Sequence, residues 1–281
     1  MKPRRSVLYM PGANERALEK AKTLPADALI LDLEDAVAPD AKPAARDRVC
    51  AALGGYGDRE VTIRVNGAGT PWHADDLRAA AEAGPSAVVV PKVNSVEEVH
   101  AIEKALSHAP DHTAIWAMIE TPVAVLNCAS IAAASERLTV LVLGTNDLAK
   151  ELVAAQVPGR APLLGPLSLC VLAARATGRV ILDGVYNDVR DADGFAAECR
   201  QGRDFGFDGK TLIHPSQVGP CNEIFAPSPA EVEHARKVIE AFEAAGREGR
   251  GVATVDGRMI ENLHVDNARR ILALAEAVSG T

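Results

Sequence analysis

Aromatic residues are scarce in this chain: five Phe, three Tyr and two Trp make up 4% of 281 residues. A core without them must be assembled from Ala, Val, Leu and Ile, and a hydrophobic content of 48% is enough to fill a sizeable one. Cysteine is sparse and scattered. Cys50, Cys128, Cys170, Cys199 and Cys221 form no CxxC and no Cys/His ligand spacing. This argues against a disulfide framework and a structural zinc site, and reads as buried, reduced thiols. No apolar run approaches the ~18 residues of a membrane helix. The run after the basic start closes at Pro11-Gly12, too short for a signal-peptide core. The expectation is a cytoplasmic protein with no membrane partner. Basic residues do not prevail either: a net charge of −8 argues against a nucleic-acid partner, yet a few local cations could still hold a phosphorylated cofactor.

Also missing from the first ~225 residues are Gly/Ser linkers, charge blocks and repeats of about 20–50 residues. In their place, short apolar runs alternate with amphipathic, Ala-rich segments. The runs are Ser6–Met10, Ala28–Leu33, Val61–Val65, Ala87–Val90, Ala114–Ile119, Thr139–Leu143, Val180–Leu182 and Lys210–Ile213. Segments such as Glu15–Lys22, Ala41–Leu53, Pro71–Ala83 and Val96–Ser107 separate them. Strands apolar at nearly every position are covered on both faces, as parallel strands under helices are. Eight such units in a chain near the typical length of about 250 residues predict a (β/α)₈ TIM barrel. A doubly wound sheet is the competitor, but the first strand–helix turn, Pro11-Gly12-Ala13-Asn14, lacks GxGxxG. The predicted division is a catalytic barrel over residues 1–226 and a C-terminal helical extension over 227–281. Within the extension, Ser228 caps a helix that starts at Pro229 and runs to Ala245, and a last helix spans about Val265–Val278.

Barrel enzymes place their chemistry at the C-terminal strand ends. Here those ends carry Asp32-Leu33-Glu34-Asp35, Arg64-Val65-Asn66, Pro91-Lys92, Glu120-Thr121-Pro122, Gly144-Thr145-Asn146-Asp147, Asp183-Gly184 and His214-Pro215. Glu120 and Asp147 follow adjacent strands and could reach one cation. Oxygen donors without a His pair favour Mg²⁺ or Mn²⁺ over Zn²⁺. The alternative, that either acid caps a helix or pairs with a basic side chain, stays open on spacing alone. Arg64 has a planar fork suited to a carboxylate substrate, or equally to Asp32, Glu34 or Asp35. His214, just before a proline, reads as structural rather than as a base. Ser6 and Ser216 lie in no GxSxG context, so a serine hydrolase is unsupported.

The motifs Arg5-Ser6-Val7-Leu8-Tyr9-Met10-Pro11-Gly12, Leu31-Asp32-Leu33-Glu34-Asp35-Ala36-Val37 and Ile63-Arg64-Val65-Asn66 resemble the citrate lyase β-subunit-like (HpcH/HpaI aldolase/citrate lyase) family of CoA-ester lyases. Pro91-Lys92, Ile119-Glu120-Thr121, Gly144–Ala149 and Gly206–Pro215 extend the resemblance in order along the chain. It implies Glu120 and Asp147 as Mg²⁺ ligands and Arg64 as the group that binds the oxoacid portion of a small acidic acyl-CoA. Asp35 and Glu34 would stand close by, with Gly144, Thr145 and Asn146 at the substrate. Arg5, Lys42 and Arg46 would lie near the CoA or its acyl end. The implied assembly is a homotrimer or dimer of trimers, in which the C-terminal extension lends a carboxylate to the next subunit's active site.

That carboxylate departs from the lyase pattern. Lyase-type relatives read approximately D-G-x-M-I-D, whereas this chain has Asp256-Gly257-Arg258-Met259-Ile260-Glu261-Asn262-Leu263-His264. Glu261 adds one methylene, which could move a proton-transfer group by over ~1 Å, and a shift of that size can cost about 10²-fold in rate. The Glu-Asn-Leu-His form resembles the (3S)-malyl-CoA thioesterase branch. The implied function is therefore cleavage of a malyl-CoA-type 3-hydroxyacyl-CoA into glyoxylate and acetyl-CoA, with hydrolysis to malate and CoA close behind. A non-catalytic subunit of a multi-subunit lyase is the alternative from another class; the acids and Arg64, all in place, speak for catalysis.

Overall fold

The computed structural model describes residues 2–279. They form two compact units, Arg4–Asn222 and Glu223 onward, the latter together with Lys2 and Pro3. The division between Asn222 and Glu223 falls inside a helix, a few residues before the predicted 226/227.

The first unit is a closed barrel of eight parallel strands in sequential order: β1 (Ser6–Pro11), β2 (Ala28–Asp32), β3 (Glu60–Arg64), β4 (Ala87–Val90), β5 (Ala114–Ile119), β6 (Leu138–Leu143), β7 (Val180–Asp183) and β8 (Gly209–Leu212). Closure is made by β8 on β1, with Ser6 opposite Lys210 and Leu8 opposite Leu212. The expected eight-strand barrel is observed. Helices α1 (Glu15–Ala21), α2 (Lys42–Ala52), α3 (His73–Ala83), α4 (Val96–Ala105), α5 (Pro122–Leu126), α6 (Cys128–Ala133), α7 (Thr145–Glu151), α8 (Leu164–Thr177) and α9 (Ala192–Phe205) alternate with the strands, and α10 (Val218–Phe225) follows β8. Several start where a short polar side chain satisfies a free N–H: Asn14 accepts from Ala17, Ser95 from Glu98 and Thr121 from Ala124.

Successive strand side chains point to opposite faces, and this alternation assembles the interior. Val7, Ala28, Ile30, Ala87, Val89, Trp116, Met118, Val140, Val142 and Leu182 form one buried cluster, with Tyr9 packed against it. On β2, β4, β5 and β6 these are alternate residues of the strand. Continued one step toward the C-terminal ends, the same rows arrive at Asp32 on β2, Glu120 after β5 and Gly144 after β6, with Arg64 on β3 opposite Asp32. The apolar stack and the polar mouth are thus one alternating pattern.

The second unit holds α11 (Pro229–Arg247), a hairpin of β9 (Ala253–Val255) and β10 (Arg258–Ile260), and α12 (Asn262–Ser279). Ser228 caps α11 in a capping box with Glu231, as the Ser-Pro start predicts. The hairpin was not foreseen. Its turn is Asp256-Gly257, both at positive φ, as a two-residue I′ turn requires. Val238, Ala253, Val255, Ile260, Val265 and Ala268 close a small core of their own.

Candidate active site

A cavity of about 340 Å³ opens at the C-terminal strand ends, with Tyr9 and Met118 among its lining and Asp32, Asp35, Arg64, Glu120, Thr145, Asn146 and Asp147 around it. Arg64 is almost fully buried. Its Nε and Nη2 donate to the two oxygens of Asp32 at 2.6 and 2.7 Å, a fork-to-fork pair. Its Nη1 is shared between Glu34 at 2.8 Å and Asp35 at 3.2 Å, and its guanidinium lies 4.8 Å from the Tyr9 ring centre. Both readings that the sequence left open for Arg64 therefore apply to one side chain: it pairs with the β2 acids and it lines the cavity.

Glu120 is buried, and its Oε1 accepts the backbone N–H of Lys92 at 2.8 Å. Gly144 stands directly against it: a Cβ at that position would collide with the Glu120 carboxylate. Glycine here makes room for the acid. Asp147 lies in the first turn of α7, half exposed, with its Oδ2 3.1 Å from the Lys92 ammonium. Burial pushes Glu120 up to about 7, and the nearby charges of Glu34 and Asp147 push the same way, against Arg64. Burial likewise lifts Glu34 to about 7; Arg64 opposes this, and Asp35 and Asp32 add to it. Tyr9, enclosed in the floor, is also held above the usual phenol range, by burial first.

Two oxygen-donor acids on adjacent strand ends, in a cluster short of positive charge, fit a divalent cation. Among the described residues no group of three or more His, Cys, Asp or Glu is gathered tightly enough to cage a metal. Mg²⁺ does not require one, since it typically takes one or two carboxylates and keeps several waters. Asn146 and Asn187 face each other across the rim in a reciprocal amide pair at 3.0 and 2.7 Å. Asp35 stays largely exposed, and Thr145 is buried beside Gly184.

The three cations expected near the CoA are each engaged within the protein. Arg5 precedes β1, at the opposite end of the barrel, where Asp27 accepts from its Nε and Nη2 at 2.9 and 2.8 Å. Lys42 is buried, and its ammonium donates to Leu33 O, Glu34 O and Asn66 Oδ1 at 2.8, 2.8 and 2.6 Å. With three donors used, it clamps the acidic loop after β2 and has none left for a ligand. Arg46 is held by Asp76 at 2.7 Å. His214 accepts from the Ser216 N–H through Nδ1 and caps a short turn, in keeping with a structural reading. In the second unit Glu261 is partly exposed just before α12, whose start is capped by the His264 ring accepting the Glu261 N–H at 3.1 Å.

The sequence reading gave no role to Tyr9, Met118 or Lys92. Tyr9 and Met118 were legible only as inward positions in the alternation of β1 and β5. Lys92 stood inside a quoted motif, but nothing in the sequence marks the left-handed backbone that aims it.

A mouth of this kind on a closed parallel barrel defines a class, and residues 5–215 match the family described as HpcH/HpaI aldolase/citrate lyase. The chain belongs to that family. Residues 167–279 also match a family described as C-C bond lyase of the TIM-barrel fold. Among curated proteins, the chain is 53% identical over 279 residues to a (3S)-malyl-CoA thioesterase of Cereibacter sphaeroides, covering 99% of this chain and 96% of the relative. It is 39% identical to the citrate lyase subunit beta of Escherichia coli, covering 97% and 93%. Among solved structures it resembles the protein CitE from Mycobacterium tuberculosis in complex with magnesium, acetoacetate and coenzyme A. That likeness has a TM-score of 0.77 and 32% identity, over 96% of this chain and 97% of the other.

Proposed function

We propose that this chain is a Mg²⁺-dependent enzyme that hydrolyses a malyl-CoA-type thioester to malate and CoA. Cleavage of the same substrate to glyoxylate and acetyl-CoA is the second reading. The observation that carries the proposal is the mouth cavity itself, where Glu120 and Asp147 share one space with a buried arginine. The order of the two outcomes is reversed from that implied by the motifs. Relatives named thioesterase, 53% identical over nearly the whole chain, support hydrolysis, and so does the longer acid at Glu261.

Glu120 and Asp147 would hold the Mg²⁺, and the chemistry it supplies when bound is that of a Lewis acid at a substrate oxygen; Mn²⁺ suits the same donors. Arg64 orients the acid end of the substrate. Asp32 keeps two of its nitrogens and fixes the plane of the guanidinium, while Nη1 passes from the exposed Asp35 and from Glu34 to the substrate carboxylate. Glu34, titrating near neutrality, releases Nη1 by taking up a proton. Tyr9 and Met118 close the floor against water, and Gly144 leaves Glu120 its space. Glu261 removes a proton from the water that attacks the thioester carbonyl. In a homotrimer or dimer of trimers, Glu261 of one copy would serve the mouth of the next. Asn146 and Thr145 would contact the substrate from the rim.

The test is a product assay on the purified chain with (3S)-malyl-CoA and Mg²⁺, following malate, free thiol, glyoxylate and acetyl-CoA together. Malate and thiol in equal amounts, with no early glyoxylate, is the expected result; Glu261→Gln should slow it sharply with little change in KM. Matched glyoxylate and acetyl-CoA would overturn hydrolysis in favour of the lyase. No turnover in either sense would overturn both.

A further inference from the structure

Lys92 touches both acids of the pair. Its backbone N–H donates to Glu120 Oε1 at 2.8 Å, and its ammonium lies 3.1 Å from Asp147 Oδ2. It does so from φ +53°, a left-handed conformation that disfavours a residue with a Cβ and persists only where the surroundings impose it. Lys92 also borders a second cavity of about 650 Å³ beside α3 and α4, where Glu82 and Glu98 stand. The lysine thus has one acid partner at the mouth and, behind it, a mainly apolar space in which the two glutamates stand with Arg78, His73 and His108. A pair as open to water as Lys92–Asp147 is weak, so exchange of its partner costs little. An ammonium and a divalent cation on one carboxylate would repel each other, so the two compete.

We propose that Lys92 is a positioning residue that competes with the divalent cation for Asp147, holding the carboxylate in place and yielding it by withdrawing toward the cavity beside α3 and α4. The inference rests on the reading of Glu120 and Asp147 as the cation's ligands. It means that the affinity of the site for metal is set lower than its acids alone would give.

The experiment titrates the full chain with Mn²⁺ and reads the free-ion signal by electron paramagnetic resonance, in wild type, Lys92→Gly, Lys92→Arg and Asp147→Asn. Glycine accepts the left-handed φ and keeps the N–H to Glu120, so Lys92→Gly removes the ammonium alone. We expect it to bind Mn²⁺ roughly two- to fivefold more tightly, the size of a solvent-exposed ion pair. Lys92→Arg should stay near wild type, and Asp147→Asn should lose binding. Lys92→Met makes the same comparison if the glycine variant does not fold. Asp147-dependent binding that loss of the ammonium leaves unchanged or weakens overturns the inference alone. Binding indifferent to Asp147→Asn, or none in wild type, overturns the ligand reading and the inference with it.

Discussion

Asp183, Glu198, Arg160 and Lys210 form one charge cluster on the helix-facing side of the barrel wall; Asp32, Glu34, Asp35, Glu120 and Asp147, with Arg64 and Lys92, form another at its mouth. In the first, two acids meet two bases. Lys210 donates to Asp183 at 3.0 Å and to Glu198 at 2.7 Å, and Arg160 donates to Asp183 at 2.7 Å. Burial disfavours the Asp183 charge, yet Lys210 and Arg160 together hold its carboxyl below the usual range. In the second, five acids meet two bases, and burial lifts Glu34 and Glu120 to about 7. A cluster balanced in charge belongs to the architecture. An unbalanced one has room for a cation, and perturbed acids in a cleft make it the candidate site.

The comparison predicts opposite costs for neutralising one charge in each cluster. Glu120→Gln should cost the most activity, about 10³-fold in kcat/KM, because on the proposed function a ligand to the Lewis acid is gone. Its urea midpoint at pH 8 should equal or exceed that of wild type, since a buried and repelled charge has been removed. Lys210→Met should do the reverse. Leaving Asp183 buried and half unpaired should lower unfolding free energy by about 3–5 kcal/mol, while the folded fraction keeps its kcat. Urea unfolding beside steady-state kinetics reads both. If Glu120→Gln unfolds the chain, or Lys210→Met is silent, the distinction between the clusters fails.

Most of the barrel was legible because its signal is local. Runs such as Ala87–Val90 and Ala114–Ile119 are apolar at nearly every position, and the observed strands coincide with them. The hairpin of β9 and β10 was missed because three-residue strands are too short to show a period; only Asp256-Gly257 signalled a turn. At the site, Glu120, Asp147 and Arg64 were legible as polar residues at strand ends, and the structure brings them to one cavity. The partners of Arg5, Lys42 and Arg46 were not legible, for a different reason. Which partner claims a cation is decided in three dimensions, by Asp27, by the carbonyls of Leu33 and Glu34, and by Asp76. No one-dimensional pattern shows that Lys42 is already saturated. The role of Lys92 depends on a backbone angle that nothing in its neighbours encodes.

The subtlest effect concerns Glu34, which touches Arg64 but is not assigned to the cation. Its carboxyl titrates near 7 in the folded chain against an ordinary 4.5, so between those values the folded state holds a proton that the unfolded state has released. Stability from that proton is present in full below about pH 4.5 and is lost as pH rises through about 7, where both states are ionised. Glutamine cannot titrate. The unfolding free energy of Glu34→Gln minus that of wild type should therefore climb between about pH 4.5 and 7 and flatten above. The climb should be of order 1–2 kcal/mol once relaxation around the site is allowed for. Urea unfolding with a chelator present, at pH 5 and pH 8, reads the change free of any bound cation. Glu120 should titrate lower in the variant, because Glu34 is its strongest acidic neighbour. A difference that stays flat with pH would mean that Glu34 is ionised throughout, that Arg64 satisfies the mouth unaided, and that the two clusters differ in position and not in charge balance.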